Sequence, residues 1–125
     1  MSIPVDLDRL AEALHDFGAG YLLTSSPDGR VKAVTVQPYA ADGHLRIPTS
    51  SRGTSTNLAS NDHVTLIWPP LQQKGYTLIV DGTAAEHPDG EGFVVTPKTA
   101  VLHRPSMHAD GPPPPQGCGH DCTPV

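Results

Sequence analysis

The segment PTSSRGTSTNL carries, close together, several of the side-chain types that bind phosphate in proteins. Thr49, Ser51 and Thr54 supply hydroxyls, and Arg52 supplies a guanidinium. A guanidinium fork, hydroxyl donors and the free backbone N–H groups at a helix start together form an anion site. Each charge-assisted hydrogen bond contributes about 1.5–3 kcal/mol, so three or four such groups anchor a phosphate. The alternative is a polar surface loop that binds no ligand.

The charge and hydropathy of the chain restrict its partners. The 125 residues include 13 acidic and 8 basic side chains, which give a formal net charge of −5. This charge argues against nucleic acid and anionic membrane as main partners. No apolar run approaches the roughly 20 residues that span a bilayer. The first residues, MSIPVDLDRLAEAL, lack the basic and apolar regions of a secretion signal, so we expect a cytoplasmic protein.

Hydrophobic periodicity predicts the elements that would position these groups. Residues 6–17 repeat apolar side chains at helical spacing and predict one N-terminal helix, and residues 52–60 predict a short one. Turn sequences such as PDG separate the extended segments. The six predicted strands are GYLLTSS, VKAVTVQPY, HLRIPT, HVTLIW, YTLIVDGTAAE and GFVVTPKTAVLHR. Short antiparallel strands at this spacing predict a closed or nearly closed barrel.

The composition changes at Pro105, after which the sequence contains four consecutive prolines. Such a segment contains too little apolar surface to fold alone. We therefore divide the chain into a domain at residues 1–104 and a Pro-rich tail or arm at residues 105–125. In the tail, Cys118, His120 and Cys122 are candidate ligands for zinc, because thiolate and imidazole are its usual ligands. A tail that binds no metal is the alternative.

The order of segments around PTSSRGTSTNL resembles the pyridoxamine 5'-phosphate oxidase-like, FMN-binding split-barrel superfamily. The matching features are a strand that ends in hydroxyl and basic residues, a helix with Asn-Leu, an apolar strand that ends in tryptophan, and the segment VDGTAAE. The similarity covers roughly residues 8–104. It implies an α+β fold with an antiparallel six-stranded split β-barrel, one N-terminal helix and one short helix. It also implies a homodimer that binds FMN or the deazaflavin coenzyme F-420 at the subunit interface.

The resemblance further implies which residues contact the cofactor. Thr49, Ser51, Arg52 and Thr54 would bind its phosphate. Many members have a lysine three residues before the asparagine of Asn-Leu, where this chain has Thr54, and Arg52 lies two residues earlier. The other positions that match cofactor-contacting residues of the family are Lys32, Val34, Val36, Asn57, Trp68 and Gln73, with Gln72 as the alternative to Gln73.

The function implied by the resemblance is that of a small oxidoreductase. The cofactor would transfer hydride or electrons to or from a small molecule. The chain would then need no catalytic side chain of its own, and the sequence identifies none. A different class stays open, in which the chain is a non-enzymatic binding protein for haem or metal that uses its tail. His103, His108 or His120 would then be the ligand of a haem iron.

Overall fold

The computed structural model describes residues 1–105 and has an α+β architecture. One curled antiparallel sheet, shaped as a half-barrel, packs with two helical segments. Within residues 1–105 its strands are β1 (Ser2–Pro4), β2 (Gly20–Ser25), β3 (Val31–Val36), β4 (Tyr39–Ala41), β5 (His44–Ile47), β6 (His63–Trp68), β7 (Thr77–Glu86) and β8 (Phe93–His103). Neighbouring strands follow the order β3-β2-β6-β7-β8-β5-β4, and β1 pairs with the end of β8.

The fold class is confirmed, but the predicted number of six strands was wrong, because the described part of the chain has eight. The additional strands are β1 and β4. The predicted strand VKAVTVQPY is interrupted at Pro38, which has no N–H to donate to a ladder. Strand β3 therefore ends at Val36, and β4 pairs with β5 through Tyr39 opposite Arg46. Strand β1 has only three residues, too few for an alternating pattern to reveal it.

The N-terminal helix is shorter than the predicted span of residues 6–17. The α-helix α1 covers only Leu10–Ala13, and 3-10 turns precede it at Leu7–Arg9 and follow it at Leu14–Asp16. In this region only Leu10 is buried in the core. One buried position contributes little of the packing energy that holds a long regular helix. The second helix, α2, covers Arg52–Ser60 and matches its prediction.

The core lies against the inner face of the sheet, where alternate residues of each strand are buried. In β6, Val64, Leu66 and Trp68 are buried, while the residues between them are partly exposed. This alternation is the period-2 pattern of a sheet with one covered face. Leu22, Leu45, Ile47, Leu78, Val80, Phe93 and Val95 complete the most deeply buried apolar set on the other strands.

The hairpin between β2 and β3 confirms the predicted turn at PDG. The Ser26 N–H donates to the Arg30 carbonyl at 2.9 Å, and Gly29 has a φ of +87°. Glycine adopts this left-handed conformation without a steric penalty. The turn brings Arg30 and Lys32 to the end of the sheet beside α2. None of the helices in residues 1–105 is long and apolar enough to cross a membrane.

Candidate functional site

The start of α2 is capped by Ser51. This residue has an extended backbone, and its hydroxyl accepts a hydrogen bond from the Thr54 N–H at 3.3 Å. The cap satisfies one of the N–H groups that a helix start leaves free. The Ser51 hydroxyl, expected at a phosphate, therefore binds the helix itself in this structure. The N–H groups of Arg52 and Gly53 have no intrahelical carbonyl to bind and are the donors that remain.

A shallow, open depression of about 500 Å³ lies between the start of α2 and the β2–β3 hairpin. Three cationic side chains line it, namely Arg30, Lys32 and Arg52, and no acidic residue of the described part of the chain does so. The other lining residues are Ser26, Val31, Gly53, Thr56 and Asn57. In a chain with a net charge of −5, this depression is a local concentration of positive charge. We call it the cationic depression.

Two of these three cations are free to bind a ligand. Arg30 pairs with Asp28, with 3.4 Å between Nε and Oδ2, and both side chains are exposed. The hydrogen bond from the Ser26 hydroxyl holds the pKa of Asp28 below its usual value, so this carboxylate stays charged beside Arg30. Among residues 1–105, neither Lys32 nor Arg52 forms an ion pair. Their charges therefore face solvent without a counter-ion from the described chain.

Gly53 provides the space in which the Lys32 side chain lies. A Cβ atom added at residue 53 would be 2.5 Å from Cε of Lys32 and 3.1 Å from its Nζ. Any side chain at this position would therefore displace the lysine. The stem of Lys32 therefore packs along the first turn of α2, with its ammonium group close to Gly53.

The interior side of α2 is held by a buried amide. Nδ2 of Asn57 donates to the Thr24 hydroxyl at 3.0 Å, and both residues are buried. Asn57 thus joins α2 to β2 and also lines the cationic depression. Thr54 is fully buried, and its hydroxyl has no hydrogen-bond partner within residues 1–105. The expected contact between Thr54 and a phosphate on the surface is not available in this conformation.

Two of the other predicted site residues belong to the core. Val36 and Trp68 are 3% and 1% exposed. The Trp68 indole lies against Gly20, where an added Cβ would be 2.9 Å from Nε1. Their side chains therefore pack in the interior and do not face a ligand at the surface. Val34 is partly buried and packs against the same core.

Thr49 and Gln73 do not line the cationic depression. Thr49 is exposed in the segment between β5 and α2, and Gln73 is exposed in the loop between β6 and β7. The structure thus brings together Lys32, Arg52 and Asn57 from the predicted set. It adds Arg30, which no motif in the sequence indicated. Arg30 and Lys32 are two apart at the start of a strand, a spacing that puts two side chains on one face.

The metal and haem alternatives depend mainly on residues outside the described part of the chain. His108, Cys118, His120 and Cys122 lie beyond residue 105, and their proposed roles stay predictions. His103 lies at the end of β8, where Nδ1 is 3.0 Å from the Ser2 hydroxyl. Among residues 1–105, no three side chains of the histidine, cysteine, aspartate and glutamate types form a group that could hold a metal ion.

Comparison with curated proteins finds relatives over nearly the whole chain. An uncharacterized protein of Mycobacterium bovis is 38% identical over 137 aligned positions, which cover 95% of this chain and 93% of the relative. An uncharacterized protein of Mycobacterium tuberculosis matches with the same identity and coverage. No family model matches the sequence.

Comparison with solved structures finds the same fold at low sequence identity. A FAD-binding protein from Mesorhizobium loti has a TM-score of 0.64 at 15% identity, covering 82% of this chain and 96% of its own. A Corynebacterium glutamicum protein described as a candidate pyridoxamine 5'-phosphate oxidase has a TM-score of 0.58 at 13% identity, covering 82% and 98%. An F420 reductase has a TM-score of 0.51 at 16% identity, covering 74% and 93%.

Proposed function

Because the chain belongs to one family with the two mycobacterial proteins and has the split-barrel fold of the pyridoxamine 5'-phosphate oxidase-like superfamily, we propose that it is a cofactor-binding oxidoreductase. The cofactor is FMN or the deazaflavin coenzyme F-420. The choice of a flavin or deazaflavin ring is supported by two proteins of this fold, a FAD-binding protein and an F420 reductase. The substrate is a small molecule whose identity the proposal leaves open.

The observation that carries the proposal is the cationic depression. Lys32 and Arg52 would hold the cofactor phosphate, because they are the cations of this depression without an ion-pair partner among residues 1–105. The free N–H groups at the start of α2 would add donors with the favourable end of the helix dipole. Asn57 would hold the helix in place through its buried hydrogen bond to Thr24. Three kinds of donor around one open depression suit a phosphate.

The ring would extend along the free edge of β3. Within residues 1–105 this strand pairs only with β2, so one row of its backbone groups has no strand partner. The Ser26–Arg30 hydrogen bond sets the alternation of the ladder, which leaves the backbone N–H and C=O groups of Ala33 and Thr35 available to polar atoms of a ring. The bound cofactor would supply hydride or electron transfer, and the chain would bind it, orient it and screen it from water.

A homodimer is part of the proposal. Tyr21, Ile67, Ile79 and Val101 are cross-strand neighbours in one row on the outer face of the sheet. Tyr21 is 44% exposed, and its neighbours in this row are apolar, so the row presents apolar surface to solvent. A second copy of the chain would cover this row and remove apolar surface from water. The cofactor would then lie at the boundary between two subunits.

The test is a titration of the purified protein with FMN, F-420 and riboflavin, followed by fluorescence. We expect Arg52→Ala and Lys32→Ala each to raise the Kd of the phosphate-bearing cofactor about tenfold, the equivalent of one charge-assisted hydrogen bond. Riboflavin lacks the phosphate, so neither substitution should change its Kd. Arg9→Ala is the matched control, because Arg9 is exposed and pairs with Glu12 at 3.6 Å, in another part of the fold.

Two results would contradict the proposal. One is a wild-type protein that binds neither FMN nor F-420. The other is an FMN Kd that Arg52→Ala and Lys32→Ala leave at the wild-type value, since the phosphate would then lie elsewhere.

A further inference from the structure

A second cavity, of about 570 Å³, lies on the outer face of the sheet. Its volume falls within the range of small-molecule sites. The lining residues come from strands β2, β3, β6, β7 and β8 and from the segment before β6. They include the apolar side chains of Leu23 and Val31 and the polar side chains of Asn61, His63, Asp81, Lys98 and Thr99. We call it the outer cavity.

A β-bulge places Lys98 at the outer cavity. Asp81 pairs with Thr99 and Gly82 pairs with Pro97, so Lys98 has no partner on β7. Pro97 cannot donate to the ladder, which favours an irregularity at this point. The two strands approach closely here, since a Cβ at Gly82 would be 2.2 Å from the Thr96 carbonyl oxygen. Bulges redirect side chains and are frequent beside binding sites.

The lining of the outer cavity contains one lysine, Lys98, and one carboxylate, Asp81. Among residues 1–105, the Lys98 ammonium makes no ion pair or side-chain hydrogen bond. The Asp81 carboxylate, the opposing charge, already accepts a hydrogen bond from the Thr65 hydroxyl at 2.6 Å. Lys98 and Asp81 do not pair with each other, so the lysine charge is not neutralised by contact.

We propose that the outer cavity binds a small carboxylate with an apolar body. Lys98 would bind the carboxylate, and Leu23 and Val31 would contact the apolar part. This site is distinct from the cationic depression, although both include Val31 at their rim. Its row of Leu23, Thr65, Asp81 and Thr99 lies next to the row that the proposed dimer covers, so a second subunit would border the cavity. The binding of this carboxylate does not depend on the proposed function.

The experiment uses 2-naphthoate as the probe and follows the backbone amide resonances of the 15N-labelled full chain. We expect 2-naphthoate to shift the amide resonances of Asp81, Gly82, Lys98 and Thr99. The neutral analogue 2-naphthamide should bind more weakly. Lys98→Met should raise the Kd of 2-naphthoate about fivefold, the effect of one partly exposed ion pair. It should leave the Kd of 2-naphthamide unchanged.

Asp81→Asn tests the same cavity, and its expected effect on the Kd of 2-naphthoate is opposite to that of Lys98→Met. Removing the negative charge should lower the Kd of 2-naphthoate about twofold, because the repulsion of the carboxylate is lost. The substituted amide can still accept the hydrogen bond of Thr65, so the fold should be retained. Arg9→Gln is the control, because it removes an exposed positive charge far from the cavity, and it should leave the Kd unchanged.

The inference is overturned if 2-naphthoate and 2-naphthamide bind equally well, if Lys98→Met leaves the Kd of 2-naphthoate unchanged, or if the shifted amides surround Arg52 instead. Its failure is separate from that of the proposed function. If the protein binds 2-naphthoate beside Lys98 but binds neither FMN nor F-420, the carboxylate site is supported and the oxidoreductase proposal is refuted. If the protein binds FMN but not 2-naphthoate, the oxidoreductase proposal is supported and the carboxylate site is refuted.

Discussion

The amide of Asn57 and the hydroxyl of Thr24 form a hydrogen bond of 3.0 Å inside the protein, between helix α2 and strand β2. Both side chains are buried. Asn57, which also lines the cationic depression, is therefore fixed to the sheet. Movement of α2 away from β2 would break this bond and leave two polar groups unpaired in the core, which is costly.

Asn57→Ala should lower the free energy of unfolding by about 1–3 kcal/mol, the cost of leaving a buried hydroxyl without its donor. Thr24→Val should lower it by a similar amount, because the amide then loses its acceptor. The double variant should lose less than the sum, since the two residues are direct partners. Urea unfolding measures all three. Strict additivity would show that the bond contributes nothing specific.

Ser51 and Thr49 are expected to differ, although both carry hydroxyls in the same segment. Ser51→Ala should lower the free energy of unfolding by about 1 kcal/mol, because it removes the cap of α2. Ser51→Gly should cost only a few tenths. Thr49→Ala is the matched control and should change stability by less than about 0.5 kcal/mol, since Thr49 is exposed. Equal losses from Ser51→Ala and Thr49→Ala would refute the capping role.

Gly53→Ala should weaken the binding of FMN without lowering the free energy of unfolding. Alanine is a better helix residue than glycine by about 0.5–1 kcal/mol, so the free energy of unfolding should not fall. The added Cβ displaces Lys32, so the Kd of FMN should rise several-fold. In a Lys32→Ala background, Gly53→Ala should have no further effect on the FMN Kd. An equal additional loss in that background would mean that Gly53 acts through the backbone rather than through Lys32.

Tyr21→Lys should weaken the proposed dimer. A charge placed in the row of Tyr21, Ile67 and Ile79 would be buried by the second subunit, so the dimer dissociation constant should rise at least about tenfold. Sedimentation equilibrium over a concentration series measures it. Tyr39→Lys, on strand β4, is the control, because Tyr39 is also exposed but lies outside this row. A wild-type chain that sediments as a monomer throughout would refute the dimer.

Asp89 should make stability depend on pH in the acid range. The Glu91 N–H donates to its carboxylate at 2.8 Å and, with His87 and Arg46, holds the pKa of Asp89 below the ordinary 3.8. A lowered folded-state pKa stabilises the fold above the unfolded value, and this contribution is lost as the pH falls through the folded value. Asp89→Asn should therefore lower the unfolding midpoint at neutral pH but not near pH 2.

Urea unfolding from about pH 6 to about pH 2 measures the difference between wild type and Asp89→Asn at each pH. The difference should shrink below about pH 4. Asp16→Asn is the control, because Asp16 is exposed and forms no ion pair within residues 1–105. A difference that stays constant with pH would assign the effect of Asp89 to loop conformation instead of charge.

Local patterns in the sequence determined much of the fold. The segment HVTLIW predicted strand β6, and the PDG turn predicted the β2–β3 hairpin. Helix α2 also followed from the sequence. These features depend on neighbours within a few residues, which is why composition and spacing reveal them. The same patterns did not reveal β1, because its three residues become a strand only by pairing with β8.

The site depended more on the tertiary structure. The sequence put a phosphate-binding set between Thr49 and Thr54, but packing directs Thr54 into the core and commits Ser51 to the helix start. Arg30 and Lys32 meet Arg52 because a hairpin and a helix from separate segments pack side by side. The residue types were thus given by the sequence, whereas their exposure and their partners follow from long-range packing, which no local pattern encodes.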